Sequence, residues 1–336
     1  MMNVVSPKFS VIIPVYNRPQ EVKELLESLS IQQQNNFEVI IVEDGSTLKC
    51  EDICKEYSDN IDISYHYKEN GGPAGARNYG AEKARGEWLL FFDSDCIIPD
   101  KYFIYVSQEL NTKECQLFGG ADRSHPSFTT LQKAIDYSMT SIITTGGIRG
   151  NKKSADKFYP RTFNMGIKKE VFNEIGGFSN MRFGEDVDFS YKVKEGGYDS
   201  RFFPDAWVYH KRRNTFRTFF KQVFNSGIAR IHLSKRHPGT LKLVHLLPSA
   251  FVLGCVFLII TSILWKWWCI SPVIILCFII LTDAIAGKRD IKTSFTAIAA
   301  SFTQLWGYGS GLLIGWWNIC ILGKSNYAAF RKNFYK

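Results

Sequence analysis

Residues 88–95 read Trp-Leu-Leu-Phe-Phe-Asp-Ser-Asp. Five apolar residues without polar alternation suit a strand buried on both faces of a parallel sheet. Asp93 and Asp95 follow at once, where the chain must turn out of that strand. In an extended tripeptide two such carboxylates diverge, but at a strand end they can converge on one divalent cation. Carboxylate oxygens suit Mg²⁺ or Mn²⁺, and Mg²⁺ usually shares its shell with substrate phosphates. An ordinary Asp-rich turn has the same local sequence, so the neighbourhood decides.

Working outward, Phe9–Tyr16 (FSVIIPVY) is a short β-branched run. Val22, Leu25, Leu26 and Leu29 then fall on one helix face, with Asn17 as cap and Pro19 in the first turn. Phe37–Val42 is the next strand, Glu51–Tyr57 a helix and Ile61–Tyr67 a strand. A helix bearing Ala74, Ala76, Ala81 and Ala84 precedes Trp88. This alternation predicts an α/β fold, an open and mostly parallel sheet flanked by helices. Such sheets bind ligands beyond the carboxyl ends of their strands.

Candidate chemistry sits at those ends. Asp44 closes the second strand and can accept hydrogen bonds from a nucleobase or ribose. Gly71-Gly72-Pro73 lets backbone approach a ligand, and Arg77, one turn into the next helix, can meet a diphosphate. No Gly-Lys-Ser/Thr follows the glycines and no G-x-G-x-x-G follows the first strand, which excludes P-loop and dinucleotide fingerprints. Gly184-Glu185-Asp186-Val187-Asp188 reads either as an acidic helix start or as a general base on a helix N-terminus. Ala206–His210 reads as a strand whose terminal imidazole can serve structure or complete a metal site, the latter favouring Mn²⁺.

The charge distribution separates the chain into parts. The formal charge of the 336 residues is +9. Residues 1–210 carry 24 basic and 30 acidic groups, whereas 211–336 carry 17 basic and 2 acidic. The excess positive charge thus lies outside the predicted sheet, which argues against a simple nucleic-acid-binding domain. Three long apolar runs, about 244–265, 268–286 and 295–322, are edged by Trp265, Trp267, Trp268, Trp316 and Trp317. Their length and aromatic borders predict two to three transmembrane helices with a basic tail. Gly307, Gly309, Gly311 and Gly315 either break the third run or let it pack closely. Residues 211–242 alternate cations with Phe219, Phe220, Val223, Phe224, Ile228 and Ile231 at helical spacing. That pattern suits a helix lying on anionic lipid, or one packed on the protein. With Met1–Lys8 short and polar, residues 1–210 are expected to form a domain on the cytoplasmic side of an integral membrane protein. The eight Cys residues show no metal-binding spacing and read as thiols.

The ordered set FSVIIPVYNR, VEDGS, ENGGPAGARNYG, FFDSD, FNMGIKKEVFNEIGGF, GEDVDFSYKVKEGGY and AWVYH resembles the family 2 glycosyltransferases of GT-A fold across about residues 8–212. The resemblance implies a nucleoside diphosphate sugar as donor, Mn²⁺ or Mg²⁺ as cofactor, and inversion at the anomeric carbon. By position it implies that Pro14, Tyr16 and Asp44 contact the nucleotide. Asn70, Gly72 and Arg77 would flank the donor, Asp93 and Asp95 hold metal and diphosphate, and His210 join the metal. Asp186 would be the catalytic base with Glu185 beside it. Glu43 stands where the family often has a second Asp. The Glu-Asp pair leans toward a hydroxyl acceptor on a lipid-linked or cell-surface glycan, with Arg212 and Arg213 as candidates for an acceptor diphosphate. Transfer to polyprenyl phosphate, a processive synthase and a non-catalytic sugar-nucleotide sensor are the weaker alternatives. The synthase lacks support because Phe219-Phe220-Lys221-Gln222-Val223-Phe224 has no Gln-x-x-Arg-Trp element.

Overall fold

A computed structural model describes residues 7–145, 159–324 and 327–330. The chain divides into two compact units, Met1–His125 with Lys152–Lys211, and Pro126–Asn151 with Arg212–Lys336. The block 1–210 expected from sequence is therefore interrupted, because residues 126–151 group with the C-terminal unit. The basic tail residues Arg331, Lys332 and Lys336 lie outside the described residues.

The first unit begins with β1 (Phe9–Val15), α1 (Pro19–Ser30), β2 (Phe37–Asp44), α2 (Glu51–Tyr57), β3 (Ile63–Lys68), α3 (Gly72–Lys83) and β4 (Trp88–Phe91). It continues with β5 (Cys96–Ile97), α4 (Tyr102–Thr112) and β6 (Leu117–Arg123). The chain then leaves for α5 (Thr130–Thr140) and α6 (Ile142–Thr145) of the second unit. It returns as β7 (Met165–Lys168), α7 (Lys169–Ile175), α8 (Glu185–Glu195) and β8 (Ser200–His210).

One eight-stranded sheet results, ordered β3-β2-β1-β4-β7-β6-β8-β5. The β3-β2-β1-β4 half is parallel, as the βαβα pattern predicts. The other half is mixed: β7 runs antiparallel to β4 and β6, and β5 antiparallel to β8. The expectation of a mostly parallel sheet holds, because β6 and β8 also pair in parallel and four of the seven described strand pairings are parallel. β6 and β7 carry Gly119, Gly120 and Gly166, which dilute the strand signal. Gly166 is required because the ring of Phe118 lies where a side chain would project.

Alternate residues of the buried strands feed two layers. Val11, Ile13, Val39, Ile41 and Leu90 pack with Val22, Leu25, Leu26 and Leu29 of α1. Ile12, Ile40, Leu89 and Phe91 pack with Ala74, Ala76 and Ala81 of α3 and with Phe172 and Phe189 of α7 and α8. Each fully buried Val, Leu, Ile or Phe contributes about 1.5–3 kcal/mol. This double burial explains why WLLFF has no polar alternation.

The second unit contains α9 (Phe216–Arg236), α10 (Leu243–Leu264), a 3₁₀ turn (Trp267–Ile270), α11 (Ser271–Ala286), α12 (Ile291–Trp316) and a π-helical turn (Trp317–Ile321). Among the described residues, Leu243–Leu264 and Trp267–Ala286 are long and apolar enough to cross a membrane. Only 17% and 11% of their most apolar windows are buried. The third run behaves differently. It forms one helix with Ala297, Ala300, Ser301, Leu305 and Leu312 buried. Its glycines permit close packing and do not break it. Side chains at Gly307 and Gly311 would collide with Val223 and with the backbone of Phe224 in α9, and one at Gly309 with the backbone of Pro248 in α10. Much of the apolar face of α9 is covered by protein: Phe219 and Val223 pack with Ala297 and Ala300, and Phe224 and Ile228 with Leu312. Small residues bring the helices close enough for that face to be covered.

Candidate active site

The site grows from the carboxyl ends of the parallel strands. Glu43, fully buried at the end of β2, accepts hydrogen bonds from Ser46 Oγ and from Cys50 N at 2.9 Å. It shapes the loop beside Asp44. Asn17 (φ +53°) does not cap α1, as sequence suggests; its Oδ1 accepts from Thr47 N at 2.8 Å and Leu48 N at 2.9 Å. That side chain ties the end of β1 to the β2 loop, and Arg18 takes the N-cap position. Pro14 and Tyr16, both partly buried, stand at the same edge.

Asp44 is buried and holds the next loop. Its Oδ1 accepts from Gly71 N and Lys68 Nζ, and its Oδ2 from Gly72 N, each at 2.8 Å. Asn70 Nδ2 donates to the Asp44 carbonyl at 2.7 Å. Gly72 has φ +84°, a conformation open to glycine, and α3 begins there with Pro73 in its first turn. Asp44 thus acts as an anion at a helix N-terminus, an organising role that sequence did not reveal.

α3 carries Arg77, which is 3% exposed. Its Nη2 donates to Asp93 Oδ1 at 2.6 Å and its Nη1 to Glu185 Oε1 at 3.0 Å. The guanidinium therefore joins the carboxylate pair after β4 to the acidic start of α8. Burial, followed by the adjacent Asp186 carboxylate, pushes Glu185 up to about 7, against the opposing pull of Arg77. Asp186 accepts from Val187 N at 2.8 Å through Oδ1 and from Arg161 Nε through Oδ2. The αL residue Gly184 (φ +80°) precedes the helix and lets the two acids turn into the site.

The third group is the carboxylate–imidazole cluster. His210 Nε2 lies 3.2 Å from Asp95 Oδ1 and 4.0 Å from Asp93 Oδ2. Arg18 donates from Nη1 to Asp95 Oδ2. Phe163 stacks on the imidazole, with ring centroids 4.8 Å apart and planes at 23°. β5 and β8 pair Cys96 with His210, which brings the segment after β4 beside the end of β8. Ligand atoms of Asp95, Cys96 and His210 lie within 4.8 Å of one another. Cys96 does not suit a hard cation: burial, with help from Asp95 and Asp93, pushes its thiol well above the usual range. That leaves the Asp95 carboxylate and the His210 imidazole, with the Asp93 carboxylate 4.0 Å from the same ring nitrogen, and oxygen and imidazole donors suit Mn²⁺ and tolerate Mg²⁺.

Arg77 thus joins Asp93 to Glu185, the neighbour of Asp186, and His210 lies beside Asp93 and Asp95, while Asp44, Asn70 and Gly72 form a separate hydrogen-bonded group between β2 and α3, and Pro14 and Tyr16 stand at the end of β1. Sequence reading missed Arg18, Asp122, Arg161 and Phe163. Arg18 stood inside the quoted FSVIIPVYNR motif, whereas Arg161 and Phe163 precede β7 without a local pattern. Arg212, in the second unit, is buried and donates from Nη2 to Asp136 Oδ1 at 2.9 Å. That pairing already engages one of the two cations expected to meet an acceptor diphosphate; Arg213, the other, is partly exposed.

Comparison with known proteins identifies the fold's relatives. Residues 10–176 match the profile of glycosyl transferase family 2. An uncharacterized glycosyltransferase of Haemophilus influenzae is 36% identical over 193 residues, covering 55% of this chain and 61% of its own. Glycosyltransferase GlyG of Streptococcus pneumoniae is 29% identical over 192 residues, covering 54% and 64%. The chain thus spans a little under two thirds of the length of these relatives. Among solved structures, the mannosyltransferase PcManGT from Pyrobaculum calidifontis, in complex with GDP-Man and Mn²⁺, superposes with TM-score 0.62 at 16% identity. The match covers 90% of this chain and 88% of that one, and it shows a shared GT-A-like fold. The chain therefore carries a glycosyltransferase domain of family 2.

Proposed function

We propose that this protein is a metal-dependent, inverting glycosyltransferase that moves a sugar from a nucleoside diphosphate sugar to a hydroxyl of a lipid-linked or cell-surface glycan. The observation that carries the reading is the single network of Asp93, Asp95, His210, Arg77, Glu185 and Asp186 at the strand ends.

Asp93, Asp95 and His210 would hold Mn²⁺ or Mg²⁺, which when bound offsets charge on the departing nucleoside diphosphate. Pro14, Tyr16 and Asp44 flank the nucleotide. The Gly71–Gly72 turn and Arg77 lie on the diphosphate side, and Arg77 also holds Asp93 in place. On the opposite side of the sugar, the acceptor hydroxyl approaches Asp186. The new C–O bond forms as the bond to the diphosphate oxygen breaks, and the hydroxyl proton passes to the Asp186 carboxylate. Arg161 orients that carboxylate by holding Oδ2, and Glu185 ties it to Arg77.

The apolar helices support work at a membrane. Exposed Leu253, Phe257, Ile263, Phe278 and Ile279 make the outer surfaces of α10 and α11 apolar. Trp265, Trp267 and Trp268 cluster, exposed, at their turn, as at a lipid interface. Lys235, Arg236 and Lys242 precede the hairpin, and Lys288, Arg289 and Lys292 follow it. The positive-inside rule puts both ends, and the catalytic unit joined to them, on the cytoplasmic side.

The test is to incubate purified full-length protein with a panel of nucleotide sugars, lipid acceptors and Mn²⁺ or Mg²⁺, then weigh the lipid products. Wild type should form one mass-shifted glycolipid. Asp95→Ala and Asp186→Asn should lose at least about 100-fold in transfer while remaining folded. Transfer at wild-type rate by the purified Asp186→Asn protein would remove Asp186 from its role.

A further inference from the structure

Asp122 stands directly behind His210. Its Oδ2 lies 3.7 Å from Nδ1, while Nε2 faces Asp95 on the other side of the ring. Both side chains are largely buried, 12% and 16% exposed.

Strand register explains the placement. β6 and β8 run parallel, with Asp122 opposite Val208, so Asp122 and His210 share one face of the sheet. The pairing slips between Gly120, opposite Phe203, and Asp122, so β8 bulges at this point. A buried amide pins the bulge: Asn164 Nδ2 donates to Ala206 O at 2.8 Å and to Ala121 O at 3.3 Å. Tyr102 OH donates to Asn164 Oδ1 at 2.6 Å. Gly120 leaves the room, because any side chain there would strike the Ala206 carbonyl and the Asn164 amide. Without the slip, β6 would present a different residue to the imidazole.

The chemistry follows from the ring. An imidazole that ligates a metal through Nε2 offers its lone pair there, so its proton sits on Nδ1. Nδ1 is the atom that faces Asp122. At 3.7 Å the attraction is electrostatic, and a ring shift of about 0.8 Å makes it an ordinary hydrogen bond. Phe163 on the ring face limits rotation about the other axis.

We propose that Asp122 is a positioning residue: its carboxylate holds the proton on His210 Nδ1 and so keeps Nε2 available to the divalent cation. This rests on the reading of Asp93, Asp95 and His210 as the metal site, and adds an outer-shell partner that orients one ligand. Asp122 itself touches neither metal nor substrate.

The experiment is Mn²⁺ binding to the full-length protein without nucleotide. Electron paramagnetic resonance gives the affinity, and pulsed measurement gives the ¹⁴N coupling of a ligated imidazole. Wild type should show the coupling and His210→Ala should lose it. Asp122→Ala should bind Mn²⁺ about 10–100-fold more weakly with the ¹⁴N coupling diminished. Asp122→Asn keeps an acceptor oxygen and should retain the coupling, with an affinity between the two. In a His210→Ala background, Asp122→Ala should cost little more, which a general structural role would not reproduce. Should the alanine variant fail to fold, Asp122→Ser makes the same cut. Affinity for Asp122→Ala within about threefold of wild type with unchanged ¹⁴N coupling would overturn the assignment, as would a full loss persisting without His210. No Mn²⁺ binding by wild type would instead overturn the metal site, and this inference with it.

Discussion

Replacing Arg77 with Met removes a cation that two elements depend on while nearly preserving volume. The structure sets the magnitude. At an effective dielectric of about 20, contacts of 2.6 and 3.0 Å are worth roughly 6 and 5 kcal/mol of gross attraction. Most of this offsets the desolvation of a side chain 4% exposed. Breaking one partner out of a buried pair leaves a net loss of about 3–5 kcal/mol. For a unit of this size that is about 6–20 °C in Tm. The loss should depend on pH. Glu185 titrates near 7 in the folded chain, above its ordinary 4.5, so between those values the folded state binds more protons than the unfolded one. Stability from this group is therefore present at low pH and declines as pH rises toward 7. Without Arg77 the carboxyl moves higher still, so the deficit of Arg77→Met should be largest at pH 8 and shrink toward pH 5.5. Thermal unfolding of the detergent-solubilised chain across that range measures it. A deficit of equal size at both ends, or none, would refute Arg77 as the charge partner of Glu185.

Five further substitutions test other parts of the structure. Asn164→Ala strands the Ala206 carbonyl and Tyr102 hydroxyl, and should cost about 1–3 kcal/mol by chemical denaturation while weakening Mn²⁺ binding. Gly311→Ala drives a methyl into the Phe224 backbone and should lower stability by about 1–3 kcal/mol. Gly254→Ala, which meets nothing within 4 Å, should be neutral or stabilising in the same melting assay. Arg212→Glu opposes Asp136 in a buried setting and should destabilise the second unit by about 3–5 kcal/mol, whereas Arg213→Glu should change melting by less than about 1 kcal/mol. Activity on lipid acceptors is therefore best tested with Arg213→Glu.

The parallel half of the sheet was readable because its strands are buried on both faces. FSVIIPV, FEVIIVED and WLLF are short and rich in apolar β-branched or aromatic residues, and α1 shows a clear 3.6-residue period. The mixed half was not, because Gly119, Gly120 and Gly166 serve packing and a bulge that only the neighbouring strands explain. The same division holds in the site. Asp93, Asp95, Asp186 and His210 announce themselves through position at strand or helix ends. Arg18, Arg161 and Asp122 act through partners 77, 25 and 88 residues away in sequence, a separation no local pattern encodes. Asp44 shows a further limit: its residue type was legible, but its bonds to Gly71 and Gly72 depend on a turn formed 27 residues later. In the C-terminal part, hydropathy alone equated three apolar runs. The glycines of α12 let its neighbours cover one face of the third.

The excursion of residues 126–151 has a practical meaning for dissecting this protein. Because that stretch leaves between β6 and β7 and belongs with the helices after Lys211, the two units are interleaved along the chain. Cutting at Lys211 would not release a clean copy of the first unit. It would leave α5 attached but strip away its partners, baring Ala134, Ile135, Tyr137 and Met139, which pack with Ile280, Ala284, Ala297 and Ala300. A derivative limited to the first unit would have to lose α5 and α6 as well as the helices after Lys211. The first unit is one continuous sheet built from two separate stretches of sequence.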